Sequence, residues 1–119
     1  MRASPLVRAL AQRTTAPFEA RFWDAERGHL ADVVDVDHEA VRVDASFRPD
    51  QTFAVGDLPF ALLKGIRARR VVDAVEARLL TPLGLRSLAP GEAGYTPRDC
   101  PCQAWSLGEL LRLDRVVLK

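Results

Sequence analysis

Lysine is nearly missing from this chain: among 17 basic residues only Lys64 and Lys119 are lysines, and arginine supplies the rest. The 16 acidic residues almost cancel them, leaving a formal charge of +1. No one-signed field is available to draw in a nucleic acid or an anionic membrane. Cysteine is as scarce, with Cys100 and Cys102 flanking a single proline. Neighbours that close cannot staple a fold, so a disulfide framework is excluded. His29 and His38 do not complete a zinc spacing with them, and neither a metal site nor any other cofactor is expected. Long apolar runs are absent too. Nothing approaches the roughly 20 residues that span a bilayer, and Met1 to Leu10 has no secretory core, so the expected location is the cytoplasm.

What is present is an ordinary globular composition. At 119 residues, 48% hydrophobic and 28% charged, the chain has enough apolar surface for one modest core. Residues 1–119 are therefore read as a single domain. Leu6, Val7 and Leu10 recur at helical spacing, and Phe18 and Phe22 pair four apart, with Pro17 between the two sets. Two short helical pieces with a break at the proline are expected. Gly28 ends the second piece. Leu30, Val33, Val34 and Val36 are mostly β-branched and alternate with Asp32 and Asp35, the pattern of a short strand whose return is Val41 and Val43.

Pro49 suits the first residue of a helix, where its missing N–H is not needed, and Phe53 to Val55 would face a core. The clearest periodicity runs from Gly65 to Leu80, placing Val71, Val72, Val75, Leu79 and Leu80 on one face. Thr81-Pro82 stops that helix. A stretch from Leu83 to Pro101, punctuated by glycine and proline, reads as a long loop, and Gln103 to Leu118 as a last helix with Trp105, Leu110, Leu113 and Val117 inward. The count is about four helices and one small β-hairpin, a mainly α chain.

Three stretches carry a family resemblance. Phe22-Trp23-Asp24-Ala25-Glu26-Arg27-Gly28-His29-Leu30-Ala31-Asp32-Val33-Val34 combines a helix end, an acidic turn, a glycine and a strand. Asp44-Ala45-Ser46-Phe47-Arg48-Pro49-Asp50-Gln51 precedes an apolar segment. Leu79-Leu80-Thr81-Pro82-Leu83-Gly84-Leu85-Arg86-Ser87-Leu88-Ala89-Pro90-Gly91 follows the strongest helix. In order and spacing they resemble the C-terminal part of the amylo-alpha-1,6-glucosidase, or glycogen debranching, family of six-hairpin glycosidases. Asp50 departs from the family pattern, which more often has Asn, and Ala104 stands beside Trp105 where some debranching enzymes have a carboxylate.

The resemblance implies a partial (α/α)6 toroid, an arc of about four helices, and a truncated C-terminal portion of a glycosidase. Its implied ligand is an alpha-glucan or oligosaccharide, and its implied protein partner is an N-terminal fragment of the same enzyme or another copy of the chain. Asp44, Arg48, Asp50 and Gln51 would line the pocket mouth. They could equally cap the helix, with Arg48 paired to Asp44 or Asp50. Trp105 offers a stacking face, although a tryptophan opening an apolar helix is more often core. Inverting hydrolysis needs two carboxyl groups about 6.5–9.5 Å apart, and no pair here is assigned, so the catalytic residues are unknown. Asp32, Asp35, Asp37 and Glu39 lack the glycine-centred loop of a calcium site and read as a solvated hairpin edge. Ser46 and Ser106 have no supporting histidine and suggest no triad. The rival reading is a non-enzymatic helical interaction module.

Overall fold

A computed structural model describes residues 4–56, 61–94, 104–113 and 115. The element order is α1 (Pro5–Phe22), β1 (Trp23–Asp24), β2 (His29–Leu30), β3 (Val33–Val34), a 3-10 turn (Val36–His38), β4 (Val43–Asp44), a 3-10 helix (Pro49–Ala54), α2 (Gly65–Leu79), β5 (Leu80–Thr81), β6 (Gly84–Leu85) and α3 (Ala104–Arg112). Helix predominates, as expected from the pattern. In place of one hairpin the described residues form three two-stranded antiparallel pairs, β1 with β2, β3 with β4 and β5 with β6.

The predicted break at Pro17 does not occur. One helix of 18 residues runs through it. Proline removes a single N–H from the ladder, and the turns on either side are secured separately. Upstream, the hydroxyls of Thr14 and Thr15 both donate to the Ala11 carbonyl, at 2.8 and 3.2 Å. Downstream, Phe18 and Phe22 stack with centroids 4.9 Å apart and pack against the core. Ser4 caps the start by accepting from the Val7 amide at 3.3 Å. No residue of α1 is fully buried.

Asp24 organises the first hairpin. Its Oδ1 accepts from the Glu26 and Arg27 amides at 3.1 and 3.0 Å, and those bonds to Arg27 and Glu26 hold its pKa below the usual aspartate value. Gly28 closes the turn at φ +75°, a backbone conformation that favours glycine, and the Arg70 guanidinium packs close over it. The chain from His29 to Val34 then runs between two neighbours. Ala31 N–H donates to the Phe22 carbonyl and Asp32 N–H to the Asp44 carbonyl, each at 2.8 Å. Asp32 thus lies at the junction of α1, the first ladder and β4.

Around that junction sits the core. Helix α2 buries Ala68, Val71, Val72, Val75 and Leu79, the face its periodicity predicted, and burial of each of the larger side chains is worth about 1.5–3 kcal/mol. Leu80 was expected inward but leaves the helix as the first residue of β5 and stays 40% exposed. Phe47 is fully buried, as are Thr52, Leu63, Leu85 and Leu113. The stretch expected as loop after Leu83 begins instead with β6 and buries Leu88 and Ala89. Pro49 opens a helix as expected, in 3-10 form, and Ala54 and Val55 turn inward whereas Phe53 is 56% exposed. Helix α3 adds Leu110 and Leu113 to the core. Its Glu109–Arg112 pair lies over Gly56, where a Cβ would meet those groups at 2.5 and 2.6 Å. The calls on Pro59, Cys100, Cys102, Pro101 and Val117 fall outside the described residues.

Candidate functional site

A concavity of about 260 Å³ opens where the end of α1 meets the strand junction and the 3-10 helix. Phe18 and Phe22 form one side of it, Leu30, Ala31 and Asp32 the floor, and Ser46, Arg48, Asp50, Gln51 and Phe53 the remainder with Ala54 and Leu62. Mostly apolar walls with a few convergent polar groups are the usual make-up of a ligand pocket.

Asp32 is the polar centre. Its side chain is only 13% exposed and its Oδ2 faces the Arg48 Nε at 3.1 Å. Burial pushes its carboxyl pKa above the ordinary aspartate value, the Asp50 charge pushes the same way, and Arg48 opposes both. Asp32 lines the concavity as well as pairing with Arg48. This residue was read from the sequence as part of a solvated edge. The structure corrects that: α1 and the 3-10 helix fold over it. The signal that could have found it was its place inside the first family-like stretch.

The residues named from sequence divide. Arg48, Asp50 and Gln51 come together here with Asp32. Arg48 pairs with Asp32 and not with Asp44 or Asp50, the partners the sequence offered. Gln51 has a structural job: its Oε1 accepts from the Leu30 amide at 3.2 Å and its Nε2 donates to the Arg48 carbonyl at 3.0 Å. Those bonds tie the floor of the concavity to the segment carrying Arg48. Asp44 does not line it. Its Oδ1 accepts from the Ser46 hydroxyl and amide at 2.6 and 2.9 Å, which lowers its pKa. Trp105 falls in α3, and its side chain lies outside the described part of the structure.

On the other side of the strand junction is a wider, more polar concavity bordered by Arg27, His29, Arg42, Asp44, Arg78 and Glu92. Its arginines are already engaged: Arg27 with Asp24 at 3.0 Å, Arg42 with Asp37 at 3.1 Å and Arg78 with Glu92 at 3.2 Å. His29 is buried, donates from Nδ1 to the Leu30 carbonyl at 2.9 Å and meets Phe47 edge-on. No group of three or more His, Cys, Asp or Glu side chains is placed to hold a metal among the described residues. No described helix is long and apolar enough to cross a membrane.

The family model for amylo-alpha-1,6-glucosidase matches residues 4–98. The chain belongs to that family. The match spans α1, all three strand pairs, α2 and every polar residue of the first concavity, while Trp105 lies beyond it. No curated protein and no solved structure is found to match. Within the matched stretch Asp50 adds a second carboxylate, whose charge pushes the pKa of Asp32 upward.

Proposed function

We propose that this chain is the C-terminal portion of a glycogen-debranching type amylo-alpha-1,6-glucosidase, and that it binds alpha-glucan without hydrolysing it alone. The observation that carries the reading is the convergence of Arg48 and Asp50 with Asp32 in a single phenylalanine-walled concavity, within the stretch that places the chain in the family. A polyol offers hydroxyls that both donate and accept, and a carboxylate beside a guanidinium complements them. Hydrolysis with inversion requires a second, suitably spaced carboxyl group across the scissile bond, which in this reading comes from the remainder of an (α/α)6 toroid. The described residues hold three α-helices, fewer than such a ring needs.

Glucose release from a limit dextrin tests the proposal. The purified chain should release none, and mixing with a polypeptide that supplies the rest of a family catalytic domain should restore release. Robust hydrolysis by the isolated chain would contradict it. A second reading, a non-enzymatic module that self-associates, draws on α1, whose Leu6, Val7 and Leu10 are 70%, 44% and 51% exposed. Contiguous apolar surface of that kind marks an interaction face. A stable dimer in sedimentation, together with no affinity for maltooligosaccharides, would favour it.

A further inference from the structure

We infer that two copies of this chain pair antiparallel through α1, the exposed start of each helix seating on the phenylalanine wall at the end of the other. The inference rests on the self-association reading above and gives it a surface and a symmetry. Spacing is the first argument. Leu6, Leu10, Thr14, Phe18 and Phe22 follow one another four apart along α1, and residues so spaced form one ridge on a helix. Leu6 and Leu10 are 70% and 51% exposed, whereas Phe18 and Phe22 pack on the core and wall the first concavity.

Symmetry is the second. A two-fold axis at Thr14 sets Leu10 opposite Phe18 of the second copy and Leu6 opposite Phe22 of the second copy. One operation then covers both ends of the ridge, as a self-complementary interface requires. The Thr14 hydroxyl at the axis already donates to the Ala11 carbonyl at 2.8 Å, so its proton is satisfied before the contact forms. A contact one helix long and about 10 Å wide falls at the small end of specific interfaces, below about 1,200 Å². The dimer is therefore reversible and depends on concentration.

Charge is the third, and it selects the direction. From Pro5 to Phe18 the helix carries Arg8 and Arg13 and no acidic residue. The ion pairs of α1 among the described residues are made by Glu19 and Arg21, near its other end. The concavity has the opposite balance, Asp32 and Asp50 against Arg48. Antiparallel pairing lays the basic start of each helix beside the acidic concavity of the other copy, whereas parallel pairing would set Arg8 and Arg13 against their own counterparts. The second copy then covers the concavity proposed above for alpha-glucan, and the two compete for it.

Sedimentation of the full chain over a range of concentrations reads the dimer, and NMR reads its geometry. Leu6 and Phe22 lie about 24 Å apart along one helix, so a nuclear Overhauser cross-peak between the Leu6 methyls and the Phe22 ring reports a contact between copies. A concentration-dependent dimer with that cross-peak is expected. Leu10→Glu keeps an exposed, helix-compatible residue and should raise the dimer dissociation constant by about tenfold or more, with the monomer's circular dichroism unchanged. A chain that stays monomeric throughout overturns self-association and this inference with it, and leaves the ridge to a helix of the remaining catalytic domain. A dimer that lacks the cross-peak, or that Leu10→Glu leaves at the parent affinity, overturns the α1 pairing while self-association stands.

Discussion

Replacing Phe47 by alanine should remove the anchor that sets Arg48 in place, and the size of the effect follows from its surroundings. The ring is 0% exposed, lies edge-on to His29 with centroids 4.8 Å apart, and is covered by the Arg78 guanidinium at 4.2 Å. Truncating a core phenylalanine costs about 3–5 kcal/mol. The histidine contact and the contact with a partly exposed arginine add about 0.5–1 kcal/mol each, overlapping in part with burial. The expected loss is therefore about 4 kcal/mol, against a total of about 5–15 kcal/mol for a typical domain. With a urea dependence of about 2 kcal/mol per molar, the midpoint should fall by about 2 M at unchanged slope. Phe47→Leu keeps most of the volume and loses only the ring contacts, so it should cost about 1.5 kcal/mol. Far-UV circular dichroism in urea reads both. A Phe47→Ala midpoint within about 0.5 M of the parent, or a leucine variant as unstable as the alanine one, would refute the packing argument.

Gln51→Ala strips two bonds from the link between Leu30 and Arg48 and should cost about 1–2 kcal/mol, with faster amide exchange at Leu30 than at Val71. For Asp32, the folded-state pKa lies above the ordinary aspartate value, so folding takes up a proton there. Stability of the parent relative to Asp32→Asn should then decline as pH rises through the interval between those two values and level off beyond it, and a difference that grows with pH would contradict the burial of the carboxyl. Val41 holds a left-handed backbone at φ 72° with its side chain 88% exposed. Val41→Gly should relieve that strain and stabilise by about 0.5–1 kcal/mol after the added flexibility of the unfolded chain is deducted, a rise that calorimetry would detect.

Local signals were read well where one residue type decides the outcome. The α2 face is periodic and buried as its valines indicate, Pro49 opens a helix, and Val34 does pair with Val43 as the hairpin reading expected, although Val41 falls in the turn and Asp44 takes its place in the returning strand. Failures came where distant segments decide. Pro17 looks like a terminator to a local reading, yet its helix end is held by Phe18 and Phe22 packing on residues far along the chain. Asp32 alternates with valines like any polar residue on a wet strand. Its burial depends on two elements closing over it, and its partner Arg48 is brought across by Gln51, neither of which a strand pattern contains. The choice of Asp32 over Asp44 and Asp50 for Arg48 is likewise a matter of tertiary distance: only the latter two were within reach in sequence.

Helix α1 is one rod with two kinds of attachment. At 18 residues it is about 27 Å long, and only the turns around Phe18 and Phe22 pack on the core. The turns carrying Leu6, Val7 and Leu10 inherit their order through the backbone ladder, because so short a stretch of helix is not stable by itself in water. Amide protons there should escape by local opening of these turns, long before those around Val71 and Val75, which open only when the whole domain does. Below the global transition, the protein is therefore expected to open first along this outer spoke, while the hub around α2 holds until the whole domain unfolds.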